Sequence, residues 1–250
     1  MYIRYITCSD PREFNDVDQI VELGKISPRV EIAVQAHPSK MSCGMQRNLW
    51  FRELLSYIIC YKYDINLAVH VNREWCDEIC RKGIIPSDLT DFFDPRLNNK
   101  ITNKPLVKRW QLNIPKETAD NINVRALKKL FDLCPDKEFI LQYNTNTQNA
   151  IASLYNAGAR FSVLYDASGG QGILPTSWSA PVYKSVSQGY SGGLSPENIA
   201  SNLDKISSVV PVRHAIWIDA EGKLKTNNMF DVMRARQYIL NAENWMVRHR

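Results

Sequence analysis

The chain has 250 residues, 44% hydrophobic and 23% charged, with a formal net charge of +5. These values exclude a disordered chain, a collagen and a coiled coil. The 31 Lys and Arg residues are scattered, and the only basic tail is Arg248-His249-Arg250. A nucleic-acid protein concentrates its charge in a stripe, so the expected partner is a small anionic molecule and not a nucleic acid. No apolar run approaches the roughly 18 residues of a membrane span, and no signal-peptide pattern opens the chain. The expectation is a cytoplasmic protein, monomer or homodimer, with no membrane partner.

In chain order, short apolar runs alternate with helical patterns. The predicted strands are Tyr2–Cys8, Val30–Ala36, Ile65–Val71, Val107–Ile114, Glu138–Tyr143, Phe161–Asp166, Val182–Tyr190 and His214–Asp219. Most are rich in Val, Ile, Leu and aromatics, as parallel strands buried on both faces should be. Between them, the predicted helices are Glu13–Gly24, Asn48–Tyr61, Arg73–Lys82, Val124–Cys134, Thr147–Asn156 and Ser195–Ile206, with a long amphipathic one over Met229–Met246. Ser195-Pro196 reads as an N-cap followed by proline at the first helical position. Residues 84–105 form a longer irregular stretch, expected as a solvated insertion. Its Asp88, Asp91 and Asp94 do not have the spacing or the glycine of a calcium loop.

Eight strands alternating with helices predict a single (β/α)8 barrel over residues 1–250. The runner-up is an open doubly wound sheet, but Cys8-Ser9-Asp10-Pro11 after the first strand is not a nucleotide-binding glycine turn. The six cysteines contain no CxxC pair. Cys76 and Cys80 share a helix face, but no further zinc ligand lies near them in sequence. Neither a metal nor a cofactor is expected.

In such a barrel the chemistry sits at the C-terminal strand ends. Those ends carry Cys8-Ser9-Asp10, His37 to Lys40, Gln111 and Asn113, Gln142 to Asn144, Asp166, Ser191-Gly192-Gly193 and Asp219. The strongest local signal is Gly192-Gly193-Leu194-Ser195-Pro196-Glu197-Asn198. Two glycines between a strand and a helix start let backbone amides approach an anion. Many barrels hold phosphate in the loops after strands seven and eight. His37 and His70 also end strands, and each reads as a hydrogen-bonded rim or core histidine rather than a catalyst.

These segments together resemble the phosphoribosylanthranilate isomerase family. Its first strand ends Lys-x-Cys-Gly, where this chain has Ile6-Thr7-Cys8-Ser9. Its fourth carries a Val-Gln-Leu-His-like segment, here Trp110-Gln111-Leu112-Asn113. Its sixth ends in an aspartate, then a Gly-Gly-x-Gly loop and a tryptophan, here Asp166, Gly169-Gly170-Gln171-Gly172 and Trp178. Its seventh leads into Gly-Gly-Leu-x-Pro-Glu-Asn, matched by residues 192–198 almost throughout. Departures accompany the likeness. The family's lysine is Ile6, its glycine is Ser9, and the lysine and threonine after Gly-Gly-x-Gly are Ile173 and Leu174. The strand-eight loop reads Ala220-Glu221-Gly222-Lys223-Leu224.

The resemblance implies an Amadori rearrangement of an aminoaldose phosphate to an aminoketose phosphate, in tryptophan biosynthesis, without cofactor. It implies Asp166 as general acid and Cys8 as general base. Substrate and phosphate contacts would come from Lys40, Gln111, Gly170, Gly192, Gly193, Gly222 and Lys223. The alternatives are a divergent barrel acting on another phosphorylated small molecule, and a barrel that binds a ligand or protein without catalysis.

Overall fold

The computed structural model describes residues 1–94, 96–98, 103 and 105–249. Eight parallel strands close into a barrel in sequence order, as the alternation predicts. They are β1 (Tyr2–Ser9), β2 (Val30–Ala36), β3 (Asn66–Val71), β4 (Val107–Leu112), β5 (Glu138–Tyr143), β6 (Ser162–Tyr165), β7 (Gln188–Tyr190) and β8 (Ala215–Ala220). Pairing of β1 with β8, Tyr5 beside Trp217 and Thr7 beside Asp219, closes the ring.

The helices surround it. α1 (Val17–Gly24) follows β1. α2 (Pro38–Met41) and α3 (Gln46–Cys60) follow β2, and α4 (Arg73–Lys82) and α5 (Thr90–Phe93) follow β3. α6 (Lys116–Ala119) and α7 (Val124–Leu133) lie after β4, α8 (Gln148–Asn156) after β5, α9 (Ile199–Val209) after β7 and α10 (Val232–Arg248) after β8. A two-stranded ribbon, β9 (Lys225–Thr226) with β10 (Met229–Phe230), leads into α10. The N-cap Asp231 starts α10 by accepting from the Met233 and Arg234 amides.

Residues 166–187, between β6 and β7, form no helix. Trp178 fills part of that place. Its ring meets Tyr190 edge-on at 5.6 Å, and its indole N–H donates to Asn202 of α9 at 3.0 Å. The predicted seventh strand shortens to Gln188–Tyr190 for the same reason. Val182 and Tyr183 lie in the loop, where Tyr183 stacks on Tyr155 at 4.1 Å.

Two further expectations are corrected. The stretch 84–105 is not simply solvated: Leu89 and Phe92 are buried, Phe92 packs on Phe51 at 5.0 Å, and Phe93 meets Trp110 edge-on. Residues 95, 99–102 and 104 of that stretch lie outside the described residues. The helix expected from Ser195 begins instead at Ile199. Asn198 accepts from the Ser195 amide and donates to the Gly193 carbonyl, and the resulting turn delays the helix by four residues.

The apolar core divides by face. The larger part lies between sheet and helices. The smaller, inside the barrel, joins Ile140, Leu164 and Trp217, with Tyr5 against them. Strand alternation assigns each residue to one of these faces. Below the mouth a charged layer crosses the interior. Arg109 pairs with Glu31 at 2.6 Å, and its guanidinium lies between the Tyr5 and Trp217 rings, 4.4 Å from each centroid.

Candidate functional site

The C-terminal strand ends open into a cavity of about 1300 Å³. Asp166, Asp219, Gln111, Lys40, Gly170, Gly192, Gly193, Gly222 and Lys223 all line it. Cys8 does not, because of strand parity. On β1 the side chains of Tyr5, Thr7 and Ser9 turn inward. Tyr5 lies under Arg109, Thr7 donates to Glu31 at 2.8 Å, and Ser9 donates to Asp219 at 2.6 Å. Ile6 and Cys8 therefore face the helices. Cys8 is fully buried in the outer core, beside Ile32 across the strand pair and near Tyr238 of α10. Burial, with Asp219 and Glu31 nearby, pushes its thiol far above the ordinary range. A neutral thiol sealed behind the sheet is not a general base, which corrects the role inferred from the Thr7-Cys8-Ser9 likeness.

The inward residue at the end of β1 is Ser9, and its partner Asp219 is the group the sequence analysis left without a role. Asp219 is 7% exposed at the end of β8. Burial pushes its carboxyl up to about 7, with Glu221 and Glu31 adding to the rise, while the Ser9 hydrogen bond and Arg109 oppose it. A carboxyl poised near neutrality can give or take a proton at little cost. The one signal in the sequence was its place at the C-terminal end of a predicted strand.

Asp166 stands one strand beyond β7, just past the end of β6. Ser168 donates to one of its oxygens through both amide and hydroxyl, at 3.1 and 2.7 Å. Gln142 and the Gly170 amide donate to the other, at 2.8 and 2.6 Å. The Gly-Gly-x-Gly loop therefore wraps around this carboxylate. The Gly170 amide serves Asp166 and is not open to a phosphate.

Between the two carboxylates lies the loop after β7. Gly192 and Gly193 have φ of +111° and +65°. A Cβ on Gly192 would come within 2.8 Å of the Ile173 carbonyl, and one on Gly193 within 2.7 Å of the Leu174 nitrogen. Glycine is required here by both the backbone conformation and the close approach of the β6–β7 loop. Among the described residues, no protein acceptor meets the N–H groups of Gly192, Gly193, Leu194, Gly222 or Lys223. The acid next to them is neutralised: Glu221 accepts from Gln35 at 2.7 Å and pairs with Lys225 at 2.9 Å.

On the β1–β2 side, Asp10 adopts φ +71° just past β1 and is buried. Its carboxylate gathers Arg12 (Nε at 2.9 Å), Lys225 (2.8 Å) and Arg47 (3.5 Å). Arg47 is further fixed by Glu13 at 3.0 Å. Lys40 on α2 projects from the rim, and His37 beside it is held low by burial and by Arg73, Arg47 and Lys40.

Across β2, β3 and β4, strand register sets Gln35 beside His70 and His70 beside Gln111. His70 is fully buried and its imidazole is pushed down to about 3, so it is neutral. It lines the wall and carries no charge, in keeping with the reading of a core histidine. Among the described residues no group of three or more His, Cys, Asp or Glu side chains has the arrangement of a metal site. Cys76 and Cys80 do lie together, with sulfurs 4.0 Å apart, but they are buried under the sheet. Among the described residues no helix is long and apolar enough to cross a membrane.

No family model matches the chain, and no curated protein matches it. Among solved structures it is similar to N-(5'-phosphoribosyl)anthranilate isomerase from Pyrococcus furiosus, at 12% identity and a TM-score of 0.50. That match covers 96% of this chain and 98% of the other. At this identity the likeness extends to the fold: both are barrels, and the neighbour is an isomerase.

Proposed function

We propose that the protein is a barrel isomerase of aminoaldose phosphates. It would carry out an Amadori rearrangement of the kind catalysed by phosphoribosylanthranilate isomerase, with two carboxyl groups in place of a carboxyl and a thiol. The observation that carries this reading is the pair Asp166 and Asp219 on either side of the β7 loop, whose amides await an acceptor. A phosphate on Gly192, Gly193 and Leu194, joined by Lys223 and Gly222, would hold the sugar between them. Lys40 adds charge at the far rim.

Asp219, with a carboxyl near 7, donates its proton to the ring oxygen. The ring C–O bond breaks and the nitrogen lone pair forms the iminium. Asp166, which the family likeness would make the acid, is fixed by four donors and here takes the proton from C2 instead. The enolamine that results tautomerises to the aminoketone. The sum is an isomerisation, with no oxidant or cofactor in the balance.

The test follows exchange of the C2 hydrogen into D2O by NMR, on a panel of aminoribose 5-phosphates that includes phosphoribosylanthranilate. Wild type and Cys8→Ser exchange and turn over, while Asp219→Asn and Asp166→Asn each lose about 10²- to 10⁴-fold, the usual contribution of a general acid or base. No exchange from any member of the panel, with inorganic phosphate still bound, sinks the isomerase and leaves a phosphate-binding barrel.

A further inference from the structure

The two oxygens of Asp219 have different surroundings. Oδ1 lies 2.6 Å from the hydroxyl of Ser9, the last residue of β1. Ser9 is completely buried and does not line the cavity. Among the described residues its hydroxyl has no other hydrogen-bond partner. Oδ2 forms no hydrogen bond among the described residues, yet it is not sealed from solvent. Asp219 lines the cavity, so Oδ2 is the oxygen open to it.

A neutral carboxyl has one proton for two oxygens, and its neighbours decide between them. On Oδ1 the proton would point at Ser9 Oγ. The Ser9 hydrogen would then turn into a sealed space with no other acceptor, and a buried donor without a partner is costly. On Oδ2 the proton leaves Ser9 free to go on donating to Oδ1, and every buried hydrogen is satisfied. The same hydroxyl serves the ionised form, so the Ser9 bond persists as the proton leaves and returns. It also holds the plane of the carboxyl, whose rotation about Cβ–Cγ is otherwise soft. The charged groups facing Asp219 are Glu221 just beyond β8, Glu31 on β2 and Arg109 on β4. Cys8 on β1 and Tyr238 on α10 lie near it on the outer side, both kept neutral by burial. None of these is hydrogen-bonded to Asp219, so none competes with Ser9 for Oδ1.

We infer that Ser9 is a positioning residue: by holding Oδ1 it confines the acidic proton of Asp219 to Oδ2, where that proton is presented to the cavity. The neutral carboxyl therefore offers a donor to the ligand and calls for an acceptor, such as an ether, hydroxyl or carbonyl oxygen. Ser9 touches no ligand and acts through Asp219 alone. The place of the proton stands on these two residues, whereas its delivery to a sugar ring oxygen rests on the proposed function.

The experiment follows the Asp219 carboxyl carbon by NMR in protein carrying isotope-labelled aspartate, with Asp219→Asn for assignment. Removing a donor from the charged form of a carboxyl favours the neutral form, so the titration midpoint in Ser9→Ala is expected about 0.5 pH or more above that of the wild type. Ser9→Thr restores the hydroxyl and brings the midpoint back. A midpoint that Ser9→Ala does not move overturns the proposal, and so does a shift that Ser9→Thr leaves in place. Neutron diffraction from wild-type crystals held well below the midpoint decides without any variant. Deuterium on Oδ2, with the Ser9 deuterium directed at Oδ1, is the expected result, and deuterium on Oδ1 overturns the proposal. Turnover separates this inference from the reading it serves. In an active isomerase, assayed below both midpoints, Ser9→Ala lowers kcat about tenfold and leaves KM within about twofold. An unchanged kcat there refutes the positioning role. No turnover by any of the proteins, with the titration as expected, sinks the isomerase and leaves the proton on Oδ2.

Discussion

Two layers of the barrel interior bury carboxyl groups, and they treat them differently. At the waist, Glu31 accepts from Thr7 and pairs with Arg109, and Glu138 meets Arg4 at 3.2 Å and Arg109 at 3.5 Å. At the mouth, Asp219 has a hydroxyl from Ser9 and no cation within ion-pair distance among the described residues. Burial raises the fully enclosed Glu31 carboxyl even beside Arg109, but the less enclosed Glu138 behaves differently. Glu138 is held below its ordinary range by Arg109 and Arg4, whose pull exceeds the cost of burial. Asp219 rises to about 7 because nothing comparable offsets that cost. Two cations keep the Glu138 carboxylate charged, whereas the Asp219 carboxyl, with none in ion-pair contact among the described residues, holds a proton at the mouth.

The sharpest way to break this comparison is to remove the cation from the waist. Arg109→Met leaves Glu31 and Glu138 in the barrel interior without their shared partner, and it removes a guanidinium that lies between two aromatic faces. The expected loss is roughly 3–5 kcal/mol, the range for breaking a buried ion pair from one side. Urea unfolding at pH 7 measures it. A loss under about 1 kcal/mol would mean that the waist does not depend on its charges.

The mouth carries the opposite sign. Asp219 has a folded value near 7 against an ordinary 3.8, so the folded state holds a proton that the unfolded state releases. Stability from this group is fully present below about pH 4 and is lost as pH rises through about 7. The span of the shift corresponds to at most about 4 kcal/mol. Asp219→Asn lacks the loss, so its stability relative to wild type rises across that window and is level above it. Denaturation curves from pH 4 to 8 test this, and parallel profiles for the two proteins would refute it. If the proposed function holds, turnover by the wild type falls above about pH 7 as Asp219 loses its proton.

How much of this was legible in the sequence depends on the face of the strand. The eight strands were visible because barrel strands are buried on both sides and read as apolar runs. Asp166 and the glycines of the β7 loop were visible because turns and strand ends leave short, local signals. Parity was not. β1 reads Tyr-Ile-Arg-Tyr-Ile-Thr-Cys-Ser, with no alternation to say which residues look inward, and a one-residue change of parity exchanges Cys8 for Ser9 at the mouth. The pairing of Thr7 with Asp219 and of Tyr5 with Trp217 fixes it, and those partners lie more than two hundred residues away in the chain. The polar row across β2, β3 and β4 was hidden for a similar reason. Gln35, His70 and Gln111 are strand-end polar residues like many others until register sets them side by side.

Packing separates the layers as well as charge. At the waist, a Cβ on Gly189 would lie 2.1 Å from the Trp217 ring, and that ring also stacks on Arg109. Gly189→Ala therefore forces the indole out of place and is expected to cost about 1–3 kcal/mol, the usual range for overpacking, with the ion-paired layer disturbed in the same step. At the mouth, nothing lies within 4 Å of a Cβ on Gly222, and its backbone is not in the left-handed region. Gly222→Ala should stay within about 0.5 kcal/mol of wild type, as an unobstructed surface position does. Unfolding midpoints of the two variants, measured together, put the comparison in one experiment. Equal effects would show that the waist can yield to a methyl as readily as the open rim. A large gap, in the expected order, locates the rigid part of the molecule one layer below its chemistry, where it holds Asp219 and Gln111 in fixed directions around a cavity that is free to accept a ligand.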